Sequence, residues 1–257
     1  MPLFARKSRM KKIVRRIALF IILCFSALIV FTVGEVFLFK YVNPPVTFSM
    51  IRGWYNQKTQ NRYYRAPRYQ WCNLEDISPN LRKAVLAGED QRFLNHKGFD
   101  FIEFKEVVKD IIETRRIRGA STISMQTARS LFLWTDRTVF RKIVEAYYTV
   151  LMEFLWDKER ILEVYLNIVD WGGGVMGAEA AANKYFNTHA GLLTADQAAC
   201  LAAILPSPYR WSPVELNDYA YMRKIKILND MKYMPLIGNI KDRSPVIEAG
   251  IASSVFT

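Results

Sequence analysis

The sequence has few of the residues that build metal centres and disulfide frameworks. Its 257 residues contain three cysteines and two histidines, and no group of them has the spacing of a structural zinc site. Cys24 lies in an apolar stretch, so a disulfide would have to join Cys72 and Cys200. Cys200 stands in the apolar run AACLAAIL, which favours a buried thiol over a disulfide. We therefore predict no transition-metal site.

Sustained apolar–polar alternation and internal repeats are also absent, which argues against a β domain or a repeat architecture. Helical periodicity is present instead, for example over 138–156. A helix start is indicated at Asp157, and residues 194–197 have the form of a capping box before another apolar helix. We predict a mainly α domain from about residue 74 onward, with no second domain boundary.

Acidic residues are missing from the first 16 positions, which hold seven Lys and Arg residues. An uncharged stretch follows from Ile17 to Gly34 and continues past Glu35 to Phe39, which as a helix would reach about 30 Å. A signal peptide has a shorter apolar region and a small-x-small cleavage site, so we predict a retained anchor. The basic residues before the span place the N-terminus in the cytoplasm.

These features divide the chain into four parts. We expect a basic cytoplasmic tail over 1–16, a transmembrane helix over 17–39, a linker or membrane-proximal segment over 40–73, and an extracytoplasmic domain over 74–257. The formal charge of +12 indicates an anionic partner. Charge alone does not distinguish nucleic acid, lipid headgroups and a pyrophosphate substrate.

The first segment suited to catalysis is AVLAGEDQRFLNHKGFD, in which an apolar helix is expected to end at Gly88 and is followed by Glu89 and Asp90. A carboxylate at the edge of an apolar surface is partly desolvated, which raises its pKa and suits a general base. The alternative is a solvated helix end, which is the commoner role of such a pair.

Two further segments carry polar side chains near helix starts. Residues 118–126, RGASTISMQ, form a hydroxyl-rich loop that enters a helix and could bind an anion through backbone N–H groups. The alternative is an ordinary Ser or Thr N-cap. In RKIVE, Arg141 and Glu145 share a helix face, and an exposed ion pair is the ordinary interpretation.

The fourth segment runs from Lys158 to Asn167 and is followed by a glycine-rich run over 172–177. The run fits G-x-G-x-x-G, but it follows a helical pattern rather than a strand. This context excludes a dinucleotide site and favours a flexible or close-packed loop.

In this order, the four segments resemble the signature motifs of glycosyltransferase family 51, which are E-D-x-x-F-x-x-H-x-G, G-x-S-T-I-x-x-Q, R-K-x-x-E and K-x-x-I-L-E-x-Y-L-N. The similarity covers about residues 74–231. A penicillin-binding transpeptidase domain would need S-x-x-K and K-T-G, and the only S-x-x-K runs from Ser8 to Lys11. The resemblance is therefore to the monofunctional peptidoglycan glycosyltransferases.

The resemblance implies a lysozyme-like helical domain with a small membrane-proximal lobe, and it assigns roles by position. Glu89 matches the general base and Glu145 the second essential carboxylate. Glu145 could also hold a divalent cation, Mg or Mn, although no tightly bound cofactor is expected. Met125 stands where Gln is usual, and Arg129 replaces a usual Lys but keeps its charge. The residues expected around the substrate are Asp90, Phe93, His96, Ser121, Thr122, Gln126, Arg129, Arg141 and Lys142.

The implied activity is polymerisation of glycan strands at the outer face of a bacterial cytoplasmic (inner) membrane. The donor would be a growing glycan on undecaprenyl pyrophosphate and the acceptor lipid II. Expected partners are these lipids, membrane lipid and other cell-wall synthases, with no role for nucleic acid. A lysozyme-like glycan hydrolase and a non-catalytic scaffold stay open as alternatives. Residues 99–117 could dip into the membrane surface or pack as a core helix.

Overall fold

The computed structural model describes residues 2–48, 50–51, 68–114, 119, 121–134, 136 and 138–239. The chain divides into two compact units, Met1–Pro44 and Pro45–Thr257.

The first unit consists of one long helix, α1 (Pro2–Tyr41, 40 residues). Its segment Lys11–Tyr41 has a mean hydropathy of 2.8 over its most apolar window, and only 6% of that window is buried. This helix is long and apolar enough to cross a membrane. The transmembrane helix predicted over 17–39 lies inside it.

The second unit is mainly helical, which confirms the predicted fold class. In chain order it includes β1 (Arg68–Tyr69), α2 (Pro79–Glu89), α3 (Phe101–Thr114), α4 (Ile123–Phe132), α5 (Val139–Leu155), α6 (Lys158–Ile168), β2 (Val175–Met176), α7 (Ala178–Phe186), α8 (Ala195–Ile204) and α9 (Asp218–Asp230). Short 3₁₀ helices occupy Leu74–Asp76, Phe93–Asn95, Ala190–Leu192 and Met231–Tyr233.

Side-chain caps fix where several helices begin. The predicted N-cap Asp157 accepts a hydrogen bond from the backbone of Arg160, and the predicted capping box of Thr194 and Gln197 is present. α6 begins at Lys158, directly after the predicted cap, whereas α2 ends at Glu89, one residue beyond the expected end. Such caps satisfy otherwise unpaired N–H groups. Only a few residue types do this well, so these caps could be predicted from the sequence.

The helices of the second unit pack in two groups. α2 packs on α8 and α9, and α4 packs on α5 and α6. β1 pairs in parallel with β2, Arg68 with Val175 and Tyr69 with Met176. Cys200 on α8 is a buried free thiol, as predicted.

The two helices α3 and α5 turn apolar side chains outward. On α5, Phe154 is 84% exposed, whereas the polar residues Arg141, Glu145 and Thr149 are buried. On α3, Phe101 is 70% exposed. An ordinary core helix buries its apolar face, so α3 does not match the core-helix alternative for residues 99–117. The outward-facing apolar set, defined here as the apolar rim, comprises Phe101, Ile102, Phe104, Val108 and Ile112 of α3 and Val139, Phe140, Ile143, Val150 and Phe154 of α5.

Candidate active site

Glu89 lies where the two groups of helices meet. It is the last residue of α2, and its side chain is 13% exposed. Gln126 Nε2 of α4 donates to Glu89 Oε2 at 2.9 Å, and Arg223 Nη2 of α9 donates to Glu89 Oε1 at 2.7 Å. The hydroxyl of Tyr165 of α6 donates to the Gln126 Oε1 atom at 3.3 Å. We call these four residues the Glu89 cluster.

Burial raises the pKa of Glu89 above its ordinary value, against the opposing effects of the Arg223 charge and of the hydrogen bond from Gln126. The neighbouring charge of Asp90 adds to the rise. A raised pKa makes a carboxylate a better proton acceptor, provided that it stays ionised at the working pH. The direction of this shift suits a general base, and that role for Glu89 stays a prediction.

Arg129 supplies a second cation beside this cluster. It follows Gln126 by three residues on α4 and thus shares its helix face. Its charge acts on Tyr165 and opposes the rise in the pKa of that phenol, which burial mainly causes. Arg129 is half-buried and forms no ion pair within the part of the chain that the structure describes. A role for Arg129 in substrate binding stays a prediction.

Asp90 and Thr122 join the first two sequence motifs. The Asp90 carboxylate accepts from the backbone N–H of Ile123 at 3.0 Å and contacts His96 Nε2 at 2.9 Å. Thr122 is the N-cap of α4, and its hydroxyl donates to the Gly98 carbonyl at 2.6 Å. These contacts fix the start of α4 and hence the position of Gln126.

The remaining predicted residues of these motifs differ in exposure. Phe93 is 1% exposed, with the ammonium group of Lys158 lying 4.4 Å from its ring centroid, which favours a packing role over substrate contact. Ser121 is half-buried, and its role in substrate binding stays a prediction. Arg118 and Ala120 of the same loop lie outside the described residues.

Glu145 forms a second cluster on α5 with two cations from the preceding turn. It is fully buried; its Oε2 atom accepts from Arg141 Nη1 at 2.5 Å and its Oε1 atom from Lys142 Nζ at 2.5 Å. Arg141 Nε also donates to the Asp136 carbonyl at 2.6 Å. The ordinary interpretation of an exposed ion pair was wrong for Arg141 and Glu145, although the Lys142 side chain is 46% exposed. We call these three residues the Glu145 cluster.

Met125, the departure from the family pattern, is a core residue. It is 7% exposed on the buried side of α4, while Gln126 next to it reaches Glu89. A thioether packs well in an apolar interior, so this substitution does not remove a group from the Glu89 cluster.

Potential metal ligands gather at Asp90, His96 and Asp100, whose ligand atoms lie within 4.8 Å of one another. Asp100 accepts from Arg92 Nε at 2.8 Å, and Asp90 accepts from the α4 backbone, so both carboxylates already have donors. Within the described residues Glu145 belongs to no such group of three. A divalent cation at Glu145 stays a prediction.

Sequence reasoning missed Arg223 and Tyr165. Arg223 lies 134 residues after Glu89, so no local spacing links them. Tyr165 stands within the motif K-x-x-I-L-E-x-Y-L-N, but periodicity alone predicts an ordinary core residue at this position. Only the packing of α9 on α2 and of α6 on α4 brings them to the site.

Comparison with known proteins agrees with the motifs. The profile of the family described as Transglycosylase matches residues 56–232. The chain is similar to the biosynthetic peptidoglycan transglycosylase of Shewanella oneidensis, with 41% identity over 204 residues, covering 78% of this chain and 84% of the relative. The protein of that name from Caulobacter vibrioides is 41% identical over 219 residues, 85% of this chain and 93% of the relative. The one from Chromohalobacter salexigens is 51% identical over 165 residues, 64% and 70% of the two chains.

Proposed function

The chain belongs to the transglycosylase family, and from that membership we propose that it is a peptidoglycan glycosyltransferase that polymerises lipid-linked glycan into strands. The observation that carries the proposal is the Glu89 cluster: a largely buried carboxylate held by Gln126 and Arg223, with the half-buried Arg129 beside it. A proton acceptor next to a cation that forms no ion pair within the described residues suits a reaction that deprotonates an alcohol and expels a phosphate.

In the proposed reaction the 4-hydroxyl oxygen of lipid II attacks the anomeric carbon of the lipid-linked glycan. The new carbon–oxygen bond forms on the face opposite the leaving group, so the configuration inverts. The bond from the anomeric carbon to the pyrophosphate oxygen breaks, and undecaprenyl pyrophosphate leaves with the electron pair. Glu89 takes the hydroxyl proton and later releases it to water. General-base catalysis of this kind raises the reaction rate by about 10²–10⁴-fold.

The cations would act on the leaving group. Negative charge grows on the pyrophosphate in the transition state, and fixed positive charges that face it lower the barrier. Arg129 is half-buried beside the Glu89 cluster, and the side chain of Lys142 is 46% exposed. Glu145 would hold Arg141 and Lys142 in place, with a divalent cation as an additional aid if one binds there.

The apolar rim fits a reaction between lipids. Both proposed substrates carry polyprenyl chains, so the site has to work at the membrane surface. Exposed aromatic and aliphatic side chains on α3 and α5 would sit among the acyl chains and headgroups. α1 would anchor the chain as a single span in the cytoplasmic membrane with its basic end in the cytoplasm. Other cell-wall synthases at the same membrane are proposed as partners of this protein.

A glycan hydrolase is the main competing function, because paired carboxylates in a helical domain also cleave glycosidic bonds. A hydrolase has no pyrophosphate to neutralise, so it would not need the guanidinium of Arg129, which forms no ion pair within the described residues. A non-catalytic scaffold had its sequence support in Met125. Since Met125 is buried in the core, that support is gone.

The deciding experiment incubates the purified, detergent-solubilised chain with labelled lipid II and a divalent cation and separates the products on a gel. A ladder of polymer that muramidase digests establishes the polymerase. Shortening of preformed glycan would establish the hydrolase instead, and no product from a folded preparation would favour the scaffold. Glu89→Gln serves as the inactive reference. The matched control is Glu106→Gln, which replaces an exposed carboxylate of α3.

A further inference from the structure

Arg223 makes two contacts from one nitrogen at the end of α2. Its Nη2 atom donates to the Gly88 carbonyl at 2.7 Å and to Glu89 Oε1 at 2.7 Å. The approach of α9 is close, because a Cβ added to Gly88 would lie 3.1 Å from Ile227 Cδ1 and 3.5 Å from the same Nη2. Arg223 is thus built into the α2–α9 contact and does not reach Glu89 as a free surface side chain.

The two oxygens of Glu89 have partners of different character. Oε2 accepts from the neutral amide of Gln126, and Oε1 accepts from the guanidinium of Arg223. A buried carboxylate without a cationic partner tends to take up a proton and become neutral. A protonated Glu89 could not accept the hydroxyl proton of lipid II. The charge of Arg223 is the largest effect that opposes protonation of Glu89, and the hydrogen bond from Gln126 adds to it.

Other charged and titratable groups surround the pair. Asp90 adjoins Glu89 in the chain, Tyr165 faces it from α6, and Arg129 faces Tyr165 from α4. α8, which also packs on α2, contributes Asp196, and this carboxylate is paired with Lys224 at 2.6 Å. Asp90 disfavours ionisation of Glu89, whereas Arg223 favours it.

We propose that Arg223 is a positioning residue of the polymerisation reaction, which keeps the Glu89 carboxylate ionised and oriented before each glycosyl transfer. The proposal rests on the proposed function. When Glu89 takes the proton of the acceptor hydroxyl, Arg223 loses its counter-charge at the moment when the departing pyrophosphate gains charge. The unbalanced guanidinium then favours return of the proton from Glu89 to water, which restores the ion pair for the next transfer.

A purely structural role for Arg223 makes a different prediction. A cation at the C-terminus of a helix interacts favourably with the helix dipole and satisfies a terminal carbonyl, as Arg223 does at Gly88. Loss of that interaction would lower the melting temperature and reduce the rate by the same factor at every pH. It would leave the shape of the pH–rate profile unchanged.

The experiment measures kcat and KM for lipid II from about pH 5 to about pH 9 in full-length wild type, Arg223→Gln, Arg223→Lys and Lys226→Gln. Lys226 is the matched control, since it lies one turn along α9 and pairs with Asp230 at the surface. In Arg223→Gln we expect the acid limb of kcat to move up by about one pH unit or more, with little change in KM. Arg223→Lys should restore most of that shift, and Lys226→Gln should match wild type.

An Arg223→Gln profile of wild-type shape, scaled down uniformly or not at all, would overturn the proposal. So would a shift of equal size in Lys226→Gln. If Arg223→Gln is unfolded at the assay temperature, its pH–rate profile is measured at a lower temperature at which it is folded, with wild type measured beside it, and the same two outcomes decide. Absence of polymer from wild type itself would instead contradict the proposed function, so the two failures are distinguishable.

Discussion

The Glu89 cluster and the Glu145 cluster of the second unit are built in opposite ways. Glu89 is held by side chains from α4 and α9, which lie 37 and 134 residues away in the chain. Glu145 is held by residues three and four positions earlier on its own helix. Glu89 keeps 13% of its side-chain surface exposed, whereas Glu145 is fully buried. Glu89 has a raised pKa and a partly exposed side chain, whereas the side chain of Glu145 has no exposed surface.

This difference separates two tasks. A carboxylate that exchanges protons with a substrate needs contact with it and an adjustable proton affinity. A carboxylate that orients two cations needs a fixed position, and the charge-assisted hydrogen bonds from Arg141 and Lys142 provide it. The Glu89 cluster is therefore the proposed centre of proton transfer, and the Glu145 cluster a support for positive charge.

The largest expected effect is on turnover in Glu89→Gln. Loss of the general base should lower kcat by about 10²–10⁴-fold, measured as the initial rate of lipid II polymerisation. The folded-state pKa of Glu89 is raised, so its contribution to stability is present while it is protonated and is lost as the pH rises through that pKa. Neutral Gln should therefore melt at or above the wild-type temperature at neutral pH.

Glu145→Gln should behave in the reverse manner. It leaves the largely buried Arg141 without its counter-ion, and breaking a buried pair costs about 3–5 kcal/mol. We expect a clear fall in melting temperature, with Glu106→Gln as the exposed control. Equal stability of Glu145→Gln and wild type would break the comparison, because Glu145 would then not be needed to hold Arg141.

Arg129→Gln should lose activity without losing stability, because Arg129 forms no ion pair within the described part of the chain. Removing one group that stabilises transition-state charge lowers kcat by about 10²-fold. Arg129→Lys should recover much of the rate, and the melting temperature should stay constant in both variants. A rate loss explained wholly by unfolding would place Arg129 with the structural residues.

The smallest effect is expected in Met125→Gln, which restores the usual residue of the family pattern. Because position 125 is buried, the added amide would lose its hydration, at about 1–3 kcal/mol if it finds no partner. The free energy of unfolding, measured by denaturant titration, should fall modestly and the polymerisation rate at a permissive temperature should be unchanged. A higher rate would show that this position contacts substrate.

Local signals in the sequence predicted much of this molecule. The apolar stretch, the capping residues Asp157 and Thr194 and the helical periodicity gave a mainly α domain with an apolar N-terminal helix. The motif positions singled out Glu89 and Gln126, whose side chains the structure brings into contact, and Glu145, and their roles stay predictions. Each of these features is encoded within a few residues, which is the range that periodicity and capping rules cover.

The remainder depended on packing between distant segments. Periodicity identified an apolar face on α5 but could not say that Phe154 would be exposed and Glu145 buried. The contact of Arg223 with Glu89 requires α9 to pack on α2. The burial of Met125 requires the face of α4 that carries it to pack inside the domain. No spacing rule connects such positions, so sequence reasoning assigned them no role or the wrong environment.

The most direct test of the central claim is a pH titration of the Glu89 side chain by NMR with isotope-labelled glutamate, the signal being assigned through its loss in Glu89→Gln. We expect Glu89 to titrate above the ordinary range of a glutamate in the wild-type chain, and higher still in Arg223→Gln. Titration of Glu89 in the ordinary range, unchanged by removal of Arg223, would contradict the claim that burial and a distant arginine set this carboxylate apart.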